Sequence, residues 1–180
     1  MKDLKKAKQD YLEEEIWILP FAGGLGRSST YWEDATSGER KTFREAVKKR
    51  IRGLVETKYG TAEVSSDEHT SEITDFVRWS SQEFSDVLAG GRLRVGVAQK
   101  IFNLYLKYLW CADQIPEPPH CPFDRIVVHR HLNVTDVNWT EMDEIEDYER
   151  LVRRAQEVAQ EESKSVAQWE LHKFRRRENG

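Results

Sequence analysis

A lysine and an aspartate in one short stretch carry the clearest chemical signal in this 180-residue chain. They lie in the segment 96–124, which reads GVAQKIFNLYLKYLWCADQIPEPPHCPFD. Lys100 enters an apolar helix just after a corner at Gly96, and Asp124 closes the following loop. This order can place an amine and a carboxylate on opposite sides of one cleft. A neutral amine attacks an electrophilic carbon, and a fixed carboxylate stabilises positive charge that develops there.

The helix that carries Lys100 is apolar nearly all round, which predicts a central buried helix. Lys100, Asn103 and Lys107 share its one polar face, because they follow i, i+3, i+7 spacing. The connector after it contains four prolines in IPEPPHCP, which excludes a helix there. Asp124 then stands at an N-cap position before RIVVHRHL, and the helical neighbourhood favours a helix over a strand for that segment.

Helical spacing of apolar residues predicts most of the remaining elements. The N-terminal stretch IWILPFAGGLGRSSTYWED is the exception, for which we expect a short strand or an irregular loop. We therefore expect a mainly α fold, one compact multi-helix domain over 1–180 in one lobe or two. Two further helices are predicted from Glu39 to Tyr59, with a basic outer side, and from Ile73 to Leu88, with a stop at Gly90-Gly91. A capping box of Thr140 and Asp143 is predicted to open another helix. The last predicted helix runs from about Ser165 to Arg176.

Composition excludes several classes of protein. The chain is 38% hydrophobic and 33% charged, and it has neither a bilayer-spanning apolar stretch nor the apolar core of a secretory signal. We expect a cytoplasmic monomer without membrane association. Cys111 and Cys121 match neither a zinc knuckle nor a redox pair, and are interpreted as one buried helix thiol and one loop thiol. His129 and His131 point apart on a helix, so no metal site and no cofactor are expected.

Charge is segregated along the chain. The net charge of −4 argues against a general nucleic-acid coat. Basic residues nevertheless cluster in KKAK, in the range 40–52, in RLR at 92–94 and in HKFRRR, whereas acidic residues concentrate in the range 136–162. Such a chain can present a basic face to DNA, although solvated helix faces would give the same pattern.

The stretch from Gly96 onward resembles the helix-hairpin-helix DNA glycosylases, the superfamily of endonuclease III and oxoguanine glycosylase. Their hairpin typically reads Leu-Pro-Gly-Val-Gly-x-Lys, and the corresponding residues here, 94–100, read RVGVAQK. Asn103 occupies the position of an Asn found in some members, and Phe123-Asp124 corresponds to their Val-Asp. The usual Pro is Val95 here, the second Gly is Ala98, and the connector before Asp124 is longer.

The resemblance implies a helix-hairpin-helix motif, with the hairpin and catalytic segment at about 84–132, and excision of a damaged or modified base flipped out of duplex DNA. Asp124 would stabilise the oxocarbenium-like sugar, and Lys100 would attack C1′ in a bifunctional glycosylase and lyase. Two cysteines cannot hold the iron–sulfur cluster of some members. The residues expected to contact DNA are Gly96, Val97, Ala98, Gln99, Arg92, Arg94 and Lys107, and those expected to form a base pocket are Trp169, Trp110 and Asn103.

Two other functions fit the same residues. One is a helical nucleic-acid-binding protein without catalysis, in which Lys100 holds a phosphate and Asp124 only caps a helix. The other is a metal-independent ribonuclease, since Arg125 and His131 are spaced as in the Arg-to-His motif of the HEPN family.

Overall fold

The mainly α class is confirmed by the computed structural model, which describes residues 3–174 except for the side chain of Gln9. Its α-helices are α1 Leu4–Gly24, α2 Ser37–Leu54, α3 Ser66–Glu83, α4 Val95–Cys111, α5 Ile145–Glu161 and α6 Val166–Lys173. Two π-helical segments, Val55–Tyr59 and Ile126–His131, and a short 3-10 turn, Ala89–Gly91, complete the helical structure of these residues. An isolated antiparallel bridge joins Tyr31 to Leu88.

Helix α4 is the centre of the fold, as its composition predicts. Its residues are buried along nearly the whole length, from Val95 to Leu109. Helices α1, α3 and α5 all contact it, and α6 packs on α5. An apolar helix surrounded by other helices removes its surface from water on every side, which is the largest favourable contribution to folding.

The predicted helix from Glu39 to Tyr59 is confirmed as α2 followed by a π-helical turn. Phe43, Val47 and Ile51 recur every four residues and are fully buried. A capping box formed by Thr36 and Glu39 starts α2, and Ser65 with Glu68 starts α3 in the same way.

Several predicted boundaries are wrong. Helix α3 ends at Glu83, ahead of Leu88, and the following Gly90-Gly91 adopts positive φ in the turn before α4. Thr140 and Asp143 do not open a helix, because α5 begins at Ile145 and Asp143 pairs with Arg92 instead. The predicted end of the last helix at Arg176 lies outside the described residues.

The N-terminal stretch is a 21-residue helix, and the expected strand or loop is wrong over 16–24. Trp17 and Gly24 face the core of the fold, where the Trp17 ring stacks on Tyr105 with centroids 3.9 Å apart. The helical spacing of the core-facing residues is hard to recognise in the sequence, because the outer face of α1 also carries apolar residues. The assignment of the thiols is also reversed: Cys111 on α4 is exposed, and Cys121 in the loop is buried. Within residues 3–174, no helix has the length and apolar character needed to cross a membrane.

Candidate functional site

Lys100 and Asp124 meet, as their order in the sequence suggests. Lys100 Nζ lies 3.1 Å from Asp124 Oδ2. The lysine side chain is 9% exposed and the aspartate side chain 29% exposed, so the pair sits at the edge of the core and within reach of solvent. Partial burial strengthens the interaction between the two charges, because water screens them incompletely.

The Asp124 carboxylate is held at both oxygens. Oδ1 accepts the backbone N–H groups of Ile126 at 2.9 Å and Val127 at 3.0 Å, which makes Asp124 the cap of the segment Ile126–His131. Burial alone would raise the pKa of Asp124, but the charge of Lys100 and these N–H donors outweigh it and lower the pKa below its ordinary value. The carboxylate is therefore ionised at neutral pH, with Oδ2 directed at the amine.

Helix α1 covers the other side of Lys100. A Cβ added at Gly23 would lie 3.7 Å from Lys100 Cε, and one added at Gly24 would lie 2.5 Å from Ile101 Cγ1. The absence of a side chain at Gly24 therefore allows α1 to pack closely on α4 beside the lysine.

Two buried amides join α4 to the loop that carries Asp124. The Gln99 side chain donates to the Phe123 carbonyl at 2.7 Å and accepts the Phe123 N–H at 3.1 Å. Asn103 donates to Gln99 Oε1 at 3.2 Å and to the Cys121 carbonyl at 3.0 Å. Both amides are at most 1% exposed, so they hold the loop without competition from water.

Two buried histidines extend this network. The His69 ring accepts from the Tyr59 hydroxyl at Nδ1 and donates from Nε2 to Asn103, each at 2.6 Å, an assignment that follows from the partners. A hydrogen bond of 2.7 Å joins His120 Nδ1 and the Tyr148 hydroxyl oxygen. Burial lowers the pKa of His69 to about 4 and lowers that of His120 as well, so both rings are neutral at pH 7.

A cleft of about 840 Å³ opens beside Asp124. Sequence reasoning did not predict it, because its walls come from loops that are distant in the chain. The loop after α1 contributes one wall, the segment after Asp124 a second, and the loop before α5 a third. Residues that line it include Arg27, Arg125, His129, Asn138, Trp139 and Thr140. Arg27 and Arg125 are exposed cations in this lining, and Asp124 and the exposed Asp136 are its acidic residues, so the cleft offers charges of both signs to a ligand.

A second depression, of about 1270 Å³, lies between the same loop after α1 and the start of α2. Arg27 lines the first cleft, and its neighbours Gly26 and Ser28 line the second. Trp32 stands in this depression at 47% exposure, together with Arg40. An exposed aromatic ring beside a guanidinium group suits a stacked or partly apolar ligand.

The residues of the predicted hairpin do not reach the surface. Gly96, Val97, Ala98 and Gln99 are all buried in α4. The Gly96 N–H donates to the Met142 carbonyl at 2.9 Å, and the N–H groups of Val97 and Ala98 donate to the Arg94 carbonyl. Contrary to the prediction, none of these donors is available to a DNA phosphate.

Gly96 has a packing function instead. A Cβ at this position would lie 1.6 Å from the Trp139 carbonyl oxygen and 3.3 Å from Met142 Cβ. Only glycine permits the loop before α5 to lie directly against the first turn of α4. The loop held in this way is also the one that supplies Trp139 to the cleft.

Arg92 and Arg94 are the predicted DNA contacts that remain near the surface. The Arg92 side chain is 60% exposed and pairs with Asp143, and the Arg94 side chain is 39% exposed and donates to the Thr140 carbonyl at 3.1 Å. Both contacts hold the loop before α5 against the start of α4.

The remaining predicted contacts lie inside the fold. Lys107 forms an ion pair with Glu170 at 2.6 Å, and the Glu170 side chain is only 6% exposed. Trp169 and Asn103 are buried, and Trp110 is partly buried against the core. None of the predicted base-pocket residues Trp169, Trp110 and Asn103 lines either of the two clefts described above. Trp139 is the tryptophan beside Asp124.

The arginine and histidine of the ribonuclease alternative have different surroundings. Arg125 lines the cleft beside Asp124, whereas the His131 ring packs edge-on against Trp169 with centroids 6.1 Å apart. Nothing in this arrangement favours the ribonuclease alternative over the others.

No family model, curated protein or solved structure matches this chain. Functional inference therefore depends on the geometry of the cleft and on the resemblance carried by residues 94–124.

Proposed function

We propose that the chain is a DNA glycosylase that removes a damaged or modified base from duplex DNA. The observation that carries the proposal is the 3.1 Å separation of Lys100 Nζ and Asp124 Oδ2 at the edge of a cleft. Asp124 lines the cleft, and Lys100 lies directly behind it, so a sugar C1′ bound at Asp124 must separate the ion pair before Nζ can reach attack distance.

Asp124 has the stronger claim to a catalytic role. Cleavage of the N-glycosidic bond develops positive charge on the sugar, and an ionised, immobile carboxylate stabilises that charge without reorganising. The backbone N–H groups at Oδ1 keep Asp124 ionised and in place, while Oδ2 is the oxygen on the side of Lys100.

Lys100 would act in an associated lyase reaction. After losing its proton, Nζ forms a bond to C1′ while the bond from C1′ to the base breaks, and the base leaves with that electron pair and takes up a proton. The nitrogen then loses a second proton, and its lone pair expels O4′, which takes up a proton as the sugar ring opens. The resulting protonated imine permits loss of a C2′ proton and elimination of the 3′ phosphate. The lysine side chain is 9% exposed, so the amine is mostly shielded from water.

Arg27 and Arg125 replace the hairpin as the proposed phosphate contacts. Both are exposed at the cleft, and backbone contacts of this kind fix register without reading sequence. Asn138 would line the base pocket, and the exposed Trp32 in the neighbouring depression is the proposed wedge for the duplex.

The competing function is a nucleic-acid-binding protein without catalysis. The contacts of Asp124 favour this alternative, because a structural carboxylate would also accept two backbone N–H groups and form an ion pair with a lysine. Base release from duplexes with oxidised, alkylated, deaminated or hypermodified bases separates the two. The proposal requires release of at least one base and its loss in Asp124→Asn, with Asp75→Asn as control because Asp75 is an exposed, ion-paired carboxylate on α3. Binding without any release would support the alternative.

The lyase step has its own test. Borohydride reduces an imine to a stable amine, so a reactive Lys100 leaves a covalent protein–DNA adduct. We expect Lys100→Met to lose the adduct and Lys58→Met to retain it, because Lys58 is ion-paired with Glu72 on other helices. Base release without an adduct would refute the lyase step and leave the glycosylase step intact.

A further inference from the structure

Helix α1 carries a stripe of exposed apolar side chains on the face opposite the one that packs on the core. The stripe consists of Leu4, Tyr11, Leu12, Ile18 and Leu19, which are between 45% and 69% exposed. Residues 4, 11 and 18 are seven apart, and so are 12 and 19, which is the spacing of a seam between paired helices. A contiguous apolar face on an otherwise charged protein marks an interaction surface.

Two opposite charges lie within this stripe. Lys8 and Glu15 are exposed, and at 100° per residue they fall between the apolar side chains. In the part of the chain that the structure describes, neither side chain forms an ion pair. Glu13 and Glu14 of the same helix instead pair with Arg52 on α2. Lys8 and Glu15 are distinguished by their position within the apolar stripe.

We propose that this face pairs with the same face of a second copy, with the two α1 helices antiparallel about a two-fold axis between Tyr11 and Leu12. That axis places Lys8 opposite Glu15 of the second copy, and Glu15 opposite Lys8 of the second copy. It also places Leu4 opposite Leu19. A two-fold interface must be complementary to itself, and the stripe satisfies this condition in both charge and apolar contact.

The charges select the antiparallel orientation. A parallel pair would bring Lys8 next to Lys8 and Glu15 next to Glu15, and like charges in a seam oppose association. A 21-residue helix is about 32 Å long, so the contact is smaller than that of most permanent dimers. The dimer is therefore weak and concentration-dependent, and it departs from the monomer expected from the sequence. It does not depend on the chemistry of Lys100 and Asp124.

Sedimentation velocity over a range of protein concentrations tests the pairing through charge reversal. The wild-type chain should self-associate, and Lys8→Glu or Glu15→Lys alone should weaken association at least about tenfold, because each places like charges opposite each other twice. An equimolar mixture of the two variants should recover association, as should the chain with both substitutions. Recovery by the chain with both substitutions is specific to the antiparallel pairing, because a parallel pair of that chain would again place like charges side by side.

Leu12→Glu, at a side chain 55% exposed, is a second variant that should abolish association while leaving the helical circular dichroism unchanged. A wild-type chain that stays monomeric would overturn the proposal, as would single reversals without effect or a mixture that does not recover. Flotation of a monomeric wild-type chain with anionic vesicles would also overturn it, since the face would then be covered by lipid.

Discussion

The Gln99 side chain hydrogen-bonds both backbone groups of Phe123, the residue immediately before Asp124. Gln99 is itself the neighbour of Lys100, so one neutral amide fixes the position of the carboxylate relative to the amine. The bridge is fully buried, and the amide donates through its nitrogen while it accepts through its oxygen. Gln99 is therefore a positioning residue for the proposed pair.

Gln99→Leu tests this positioning. The change leaves the Phe123 N–H and carbonyl buried without partners, so the free energy of unfolding should fall by roughly 2 to 4 kcal/mol. In any base-release assay kcat should fall while KM changes little, because the cleft itself is intact. Gln156→Leu is the control: its side chain is exposed and bonded only to Ser66 Oγ, so urea denaturation should detect a change below about 1 kcal/mol. Equal losses in the two variants would contradict a positioning role.

Asp124 can be separated into its capping and charge contributions. Asn still accepts the two backbone N–H groups, whereas Ala does not, so Asp124→Ala should be less stable than Asp124→Asn by about 1 kcal/mol. Both should lack base release, because both lack the negative charge. Thermal or urea unfolding measures the first difference. A catalytically active Asn variant would show that the carboxylate only caps the helix.

Gly96 and Gly53 form a matched pair for alanine substitution. Gly96→Ala drives a Cβ into the Trp139 carbonyl oxygen, so we expect a loss of more than about 3 kcal/mol or failure to fold. Gly53→Ala meets no atom within 4 Å in α2 and should stabilise the chain by about 0.5 to 1 kcal/mol. Urea denaturation compares them. A tolerated Gly96→Ala would refute the close packing of α4 on the loop before α5.

Stability should fall as the pH drops below neutrality. The folded chain keeps His69 neutral down to its pKa of about 4, whereas the unfolded chain binds a proton near the ordinary value of 6.5. As the pH falls, the unfolded state therefore binds a proton before the folded state does. The free energy of unfolding decreases between about pH 6.5 and pH 4, by roughly 3 kcal/mol for His69. His120 acts in the same direction. The lowered pKa of Asp124 extends the loss below pH 3.8.

Urea midpoints at pH 7, 5.5 and 4.5 measure this dependence. His69→Gln should flatten the profile even if it lowers stability at every pH. A wild-type midpoint that does not move between pH 7 and pH 4.5 would contradict the neutral, buried histidines.

Local patterns in the sequence predict the central elements of this fold well. The all-round apolar character of α4 indicates a buried helix, and the prolines before Asp124 exclude a helix between them. The meeting of Lys100 and Asp124 follows from these two features. The function of Gly96 could not be predicted in the same way, because a glycine needed for anion binding and one needed for close packing look identical in sequence.

Contacts between distant segments are the part that the sequence conceals. Arg27 and Trp139 reach the cleft from loops whose placement depends on how α1 and α5 pack on α4. The sequence alone indicates that Lys107 faces solvent, because its ion-pair partner, Glu170, lies on another helix. The N-terminal helix was missed because apolar side chains occur on both of its faces, which obscures the helical period.

The central claim is that Lys100 and Asp124 act on one sugar carbon. Its most direct measurement is single-turnover release of a base from a panel of modified duplexes, with the wild-type chain, Asp124→Asn and Asp75→Asn compared at equal DNA occupancy. The account predicts release of at least one modified base by the wild-type and Asp75→Asn proteins, and none by Asp124→Asn. Release that survives in Asp124→Asn, or DNA binding with no release from any duplex, would contradict it.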